Sequence, residues 1–339
     1  MAPMPPEHDS TIADAPGVTS LSLAEAMKNR RTNAAGSRYP GIDAERYADG
    51  LIYPTLNPTF SINTDSKIFT IGSCFARNIE AQLKGRNVPT SHFSLPEGEI
   101  TQNIGNRILN EYNPGTMAQR IRYAAQKQSF GDRAIVEEKP GLFSDLLLSG
   151  GVPLPLARVQ ERRGEIDALY QNLVSSDVLI ITLGLVEAWY DKANKLYLNR
   201  MPGPAVVRDK TQAAQYELRV IDPDTAFALL SDALKIAFGA GLKHVLLTVS
   251  PVPLQTTFTE QDVVMANSYS KSVLRSVAAR LDAAFPQLDY FPSYEMVISY
   301  SNNPFIDDNV HVKPDVVARV TGHMMDNYDA DRRAGASGA

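Results

Sequence analysis

Four short apolar runs, each separated from the next by amphipathic sequence, constrain this chain more than any other feature. They are Lys67–Ile71 (KIFTI), Asp177–Leu183 (DVLIITL), His244–Val249 (HVLLTV) and Leu288–Phe291 (LDYF). Each has strand length and is rich in β-branched or large apolar residues. Helical patterns follow or precede them: from Cys74 through Lys84, around Ile166–Ser175, over Pro223–Gly239, and over ANSYSKSVLRSVAARLDAAF. A last helix, PDVVARVTGHMMDNY, starts at Pro314. Apolar strands alternating with helices predict a mostly parallel sheet covered on both faces. The expected fold is therefore a three-layer, doubly wound α/β domain. Val88–Phe93 (VPTSHF) predicts a fifth strand, and Thr116–Gln128 a further helix.

The flanks read differently. Met1 to about Ser20 is rich in Pro, Ala and small polar residues, which cannot bury enough apolar surface to order themselves. SLAEAMKNRR predicts a short helix with Ser22 as its N-cap. Pro40, Pro54 and Pro58 predict irregular chain over Asn33–Thr64. The expected organisation is a flexible segment over 1–53, an α/β domain over 54–328 with an insertion around 95–164, and a flexible tail over 329–339. The N-terminus has no basic start followed by an apolar core, so no secretory signal is read and a cytoplasmic location is expected. No apolar run is long enough to span a bilayer. The net charge of −5 gives no argument for nucleic acid or an anionic membrane. One cysteine in 339 residues excludes an internal disulfide and a multi-cysteine metal site.

In open parallel sheets, ligands bind beyond the carboxyl ends of the strands. Here those ends read GSCFA (Gly72–Ala76), GLVEAW (Gly184–Trp189), SPVPL (Ser250–Leu254) and PSYE (Pro292–Glu295). Small, polar and aromatic residues gather there, among them the sole cysteine, Cys74, and the sole tryptophan, Trp189, expected as a pocket wall. A nucleophile at the start of a helix is favoured, because the first N–H groups stabilise a thiolate or an oxyanion. The loop SNNPFIDDNVHVKPD supplies His311 as base and Asp308, three residues earlier, to orient it. No G-x-G-x-x-G follows the first strand, which argues against a dinucleotide fold. Lys271 and Arg275, one helical turn apart, are expected on a solvated helix face; His8, His92, His244 and His323 have no partners in sequence and take no role.

GSCFA, followed in order by TLGLVEAW, TVSPVPL, NSYSKSVLR, YFPSYE and DDNVH, resembles the GSCFA-domain family, a bacterial family placed in the SGNH (GDSL-like) hydrolase superfamily. The resemblance covers about Pro54–Tyr328 and implies an SGNH or flavodoxin-like fold. It implies a carboxylic-ester hydrolase or O-acyltransferase that moves an acyl group, expected to be acetyl, on a carbohydrate or polysaccharide through a covalent acyl-enzyme. Asp308–His311 matches the superfamily's D-x-x-H as it stands. Aligning G-D-S on Gly72–Ser73–Cys74 makes Cys74 the nucleophile, and a one-residue shift of the turn makes it Ser73. The G-x-N-D block falls on Gly184–Glu187 and puts Val186 where an oxyanion asparagine belongs. Asn113 is a candidate replacement, and Gly105 a candidate backbone donor. Glu187 is expected to orient the site or read a sugar hydroxyl, with a purely structural acceptor as the other reading. No metal or tightly bound cofactor is required. An acyl-CoA donor is implied if the reaction is transfer. A non-catalytic carbohydrate-binding or assembly protein, and a CoA-linked thioesterase, stand as alternatives.

Overall fold

The computed structural model describes residues 18–34, 36–99 and 105–337. Most of the Pro- and Ala-rich segment expected to be disordered, with His8, lies outside them. The described residues up to Tyr47 form one unit and those from Ala48 another. The first unit holds helix α1 (Leu23–Thr32), whose N-cap is Ser22 as expected. Ser22 and Glu25 exchange hydrogen bonds as a capping box.

The second unit is built on four parallel strands: β1 (Ile68–Gly72), β2 (Val178–Leu183), β3 (His244–Val249) and β4 (Leu288–Tyr290). They pair side by side in chain order, with Ile68, Val178 and His244 in register. Alternation of side chains decides which helix covers which face. Phe69, Ile71, Leu179, Ile181, Val245 and Leu247 pack with α3 (Pro114–Ala125), α5 (Pro223–Gly239) and α6 (Val263–Ala284). Ile68, Val178, Ile180 and Leu246 pack on the other face with α2 (Cys74–Gln82), α7 (Ser293–Ile298) and α8 (Pro314–Tyr328). The result is the three-layer α/β domain read from the sequence. The first helical stretch before β2 is longer than its pattern suggested, α4 running over Leu156–Tyr170 and a 3-10 turn over Gln171–Ser175.

The fifth strand does not form. Pro89 starts a 3-10 helix, Pro89–His92, and only Asn87 bridges to Lys67 beside β1. Proline at the second position of the run removes a ladder donor and fixes a turn-compatible φ. The C-terminal stretch expected to fray holds a helix, Ala330–Ser337. The region around 95–164 is not a separate body. Its helix α3 packs on α5 and in the main core, while its hairpin, Ile135–Lys139 with Leu142–Asp145, lies in a satellite cluster. A small antiparallel sheet, Glu187–Asp191 between Leu196–Leu198 and Tyr216–Val220, follows β2.

Gly72 ends β1 at φ +145°, a conformation that side chains rarely adopt. Its carbonyl accepts from Glu111 N–H at 2.8 Å. A Cβ there would collide with Thr182 on β2, with the Thr182 backbone N at 2.8 Å and its Oγ1 and carbonyl O closer still. Those contacts are largely backbone and cannot swing aside. Gly72→Ala is expected to lower stability by about 3 kcal/mol. Urea unfolding measures it, and a loss under about 0.5 kcal/mol, the range of ordinary surface substitutions, contradicts this account of the turn.

Candidate active site

The β1–α2 turn separates the roles of its two polar residues. Ser73 is the N-cap of α2 and 3% exposed. Its Oγ accepts from Phe75 N–H at 3.4 Å and sits 3.5 Å from Thr182 Oγ1, while its own N–H donates to Thr182 O at 3.2 Å. Cys74 is the first residue of the helix and half-buried. Burial pushes its thiol above the ordinary cysteine value; the charges of Arg107 and Lys271 and the N–H groups of Cys74 and Phe75 pull the other way without cancelling it. The resting group is a thiol, not a thiolate.

Asp308 and His311 form a self-contained turn. Asp308 Oδ1 accepts from the N–H groups of Val310 (2.8 Å) and His311 (2.9 Å). Asp308 Oδ2 lies 2.6 Å from His311 Nδ1. The His311 ring and the two backbone donors hold the Asp308 carboxyl down at about 2. An ionised carboxylate on Nδ1 fixes the proton there and leaves Nε2 as the basic nitrogen. Nε2 makes no hydrogen bond within the described residues.

These groups meet at a cavity of about 430 Å³ beyond the carboxyl ends of the sheet. Ser73, Cys74, Gly184, Leu185, Val310 and His311 line it, with the loop Ser250–Thr256 less Pro251 as one wall. The opposite contribution comes from the insertion and was not read from the sequence: Arg107, Asn110, Tyr112 and Ser149. Asn110 is 2% exposed; its Nδ2 donates to Tyr112 Oη at 3.2 Å and its Oδ1 has no partner. The exposed Arg107 guanidinium has no hydrogen bond or ion pair among the described residues.

Lys271 corrects the expected solvated helix face. It is 1% exposed, and its Nζ donates to three carbonyls, Gly184 (2.7 Å), Ser250 (2.8 Å) and Val252 (2.7 Å). Burial pulls its ammonium down to about 7, and a thiolate at Cys74 would act against that. Three acceptors use all three N–H groups of the charged form and so favour it. Arg275, by contrast, is partly exposed and pairs with Glu295 at 2.5 Å. Gly184 is glycine because a Cβ would lie 2.6 Å from Tyr112 O.

Asn113, Glu187 and Trp189 stand elsewhere. Asn113 caps α3, its Oδ1 accepting from Thr116 N–H at 2.9 Å, and does not line the Cys74 cavity. Gly105 opens a 3-10 turn, Gly105–Leu109, from which Arg107 lines the cavity. Glu187 is 8% exposed, and its carboxylate accepts from Thr257 Oγ1 (2.5 Å) and Phe258 N–H (3.0 Å), which is the structural-acceptor reading. Asn113, Glu187 and Trp189 line a second cavity, of about 160 Å³, that shares Tyr112, Leu185, Leu254 and Thr256 with the first. Val186 is buried and its N–H donates to Ser270 Oγ at 3.0 Å. Among the described residues no group of three or more His, Cys, Asp or Glu could hold a metal, and no helix is long and apolar enough to cross a membrane.

The family model described as GSCFA family matches residues 67–324, and the chain belongs to that family. No curated protein sequence matches it.

Two outcomes follow from the electrostatics. The Arg107 charge lowers the Cys74 pKa, so Arg107→Ala should move the pH midpoint of iodoacetamide alkylation upward; an unchanged or lower midpoint refutes the coupling. Asp308, depressed from 3.8 to about 2, adds stability that is fully present above about pH 4 and is lost as pH falls through about 2. The difference in thermal midpoint between wild type and Asp308→Asn should close between about pH 4 and 2. A gap that stays open at the acid end contradicts it.

Proposed function

We propose that this member of the GSCFA family is an SGNH-type acyl-transfer enzyme that works through a thioester on Cys74. One observation carries the reading. The only cysteine, at the first position of a helix, and a histidine whose Nδ1 is held by a carboxylate line the same cavity beyond the strand ends.

The steps follow from the protonation states. Cys74 starts as a thiol, so His311 Nε2 must take its proton as Sγ attacks the ester carbonyl. Asp308 stays ionised and stabilises the imidazolium. The carbonyl oxygen becomes an oxyanion beside the start of α2, where the Cys74 N–H makes no hydrogen bond to another described residue. The C–O bond then breaks, and the imidazolium proton goes to the departing alkoxide to give an alcohol. Water, or the hydroxyl of an acceptor, gives its proton to His311 and attacks the thioester, which restores the thiol. A carbohydrate hydroxyl is the leaving group or acceptor that the family resemblance suggests.

The asparagine missing at Val186 and diverted at Asn113 has a replacement in Asn110. Exchanging O and N of its amide lets Oδ1 accept from Tyr112 O–H and leaves Nδ2 at a buried, unpartnered position beside the cavity, as a candidate second oxyanion donor. Ser73 is assigned to the cap, since its hydroxyl serves the Phe75 N–H.

The test is intact-mass analysis after brief exposure to 4-nitrophenyl acetate. An acyl adduct is expected on the wild type, absent in Cys74→Ala, retained in Ser73→Ala, and formed at least about 100-fold more slowly in His311→Ala. Asn110→Ala should slow it by about 10²-fold. Loss of the adduct in Ser73→Ala alone moves the nucleophile by one residue. No adduct in any form sinks the acyl-enzyme.

A further inference from the structure

The second cavity has a chemical character unlike a sugar site, although polar residues line it. Glu187 has both oxygens engaged, by Thr257 and Phe258. Asn199 donates to Glu111 and Leu147 O and accepts from Tyr112 N–H. Arg200 is turned to Glu138 and Gly151 O. Asn113 spends its Oδ1 on the cap of α3. Trp189, Phe258, Leu198, Leu218, Leu254 and Met201 offer apolar surface to an occupant, and among the described residues Asn113 Nδ2, Thr256 Oγ1, the Tyr112 O–H and part of the Arg200 guanidinium are left unspent. Trp189 and Phe258 meet edge to face, 5.3 Å between ring centres. A hydroxyl-rich ring would leave most of its groups unpaired here, at a cost for each one buried. An apolar chain loses nothing.

We propose that this cavity is the acyl pocket, and that it takes a straight acyl chain of about six carbons in preference to acetyl. The size comes from comparison with apolar cavities: one of about 150 Å³ stays dry and accommodates benzene, a six-carbon ligand. This cavity is about 160 Å³. Its place fits the role, because Tyr112, Leu185, Leu254 and Thr256 wall both it and the cavity of Cys74 and His311. An acyl carbonyl at Cys74 thus has an apolar space next to it for the chain. The alcohol part of the ester is left to the main cavity, where Arg107 is unpaired. The inference rests on the acyl-transfer reading for its chemistry but not for its test.

Trp189 is the only tryptophan, so intrinsic fluorescence reports on this cavity alone. Cys74→Ala protein, which cannot turn over, is titrated with ethyl hexanoate, ethyl acetate and methyl glucoside. Hexanoate is expected to shift the emission and saturate at a concentration at least about 10-fold lower than acetate, in line with about 0.8 kcal/mol for each added methylene. Leu218→Phe, and Met201→Phe at a more exposed position, should remove that preference. Both add a ring without a second indole. Wild-type acylation by 4-nitrophenyl esters should in parallel rise from two to six carbons and fall beyond. A response to the glucoside and not to hexanoate makes the cavity a sugar site and overturns the proposal, as does equal saturation by both esters or no response at all. Hexanoate binding without any acyl adduct would instead uphold the pocket and sink the acyl-enzyme.

Discussion

One buried ammonium ties the walls of the site together. Lys271 reaches from α6 to the carbonyls of Gly184, Ser250 and Val252, which belong to the loops after β2 and β3. The stretch after β2 runs into the small antiparallel sheet at Glu187, whereas the one after β3 has no strand up to Asp262. Each charge-assisted bond contributes about 1.5–3 kcal/mol, and together they offset the cost of taking the ammonium out of water. The same cation lies near enough to Cys74 to lower its pKa, although burial of the thiol outweighs it. Structure and electrostatics are thus coupled in one side chain: the group that fixes the cavity wall also tempers the nucleophile's desolvation.

The opposite wall is fixed by backbone threading. Glu111 N–H donates to Gly72 O at the end of β1, and Leu185 N–H donates to Tyr112 O after β2. The stretch 110–113 is therefore sewn across two strand ends, and Gly72 and Gly184 are the positions where the chains come too close for a Cβ. Behind it, the Glu111 carboxylate is buried between Arg120 (3.0 Å) and Asn199. Burial raises the Glu111 pKa, and the Arg120 charge opposes that. A loop held at both ends and backed by an ion pair can present Asn110 and Tyr112 rigidly, which a free loop could not do.

The sequence reveals whatever is local or periodic. The four strands were legible because each is a continuous apolar run, and the helices because their apolar residues recur at helical spacing. The Asp308–His311 pair was legible because its hydrogen bond closes over three residues within one turn. Lys271 was not, since a lysine on an amphipathic helix reads as solvated until a tertiary partner is known; three carbonyls from two distant loops supply that partner. Arg107, Asn110, Tyr112 and Ser149 were not legible for the same reason, as the insertion reaches the cavity only through long-range backbone bonds. Asn113 was misread because N-cap chemistry and oxyanion chemistry use the same residue type, and Pro114 immediately after it marks a helix start. The 3-10 turn at Pro89 shows the same competition, a proline overriding an apolar alternation.

The division of labour among polar groups then decides what the two cavities can bind. Around Cys74, polar groups remain open among the described residues: the Cys74 N–H and Arg107 as donors and His311 Nε2 as acceptor. In the adjoining cavity, Glu187, Asn199 and Arg200 spend hydrogen bonds on the protein itself, beside the apolar surface of Trp189, Phe258 and the neighbouring leucines. A donor already satisfied inside the protein offers a ligand nothing in exchange for its lost water.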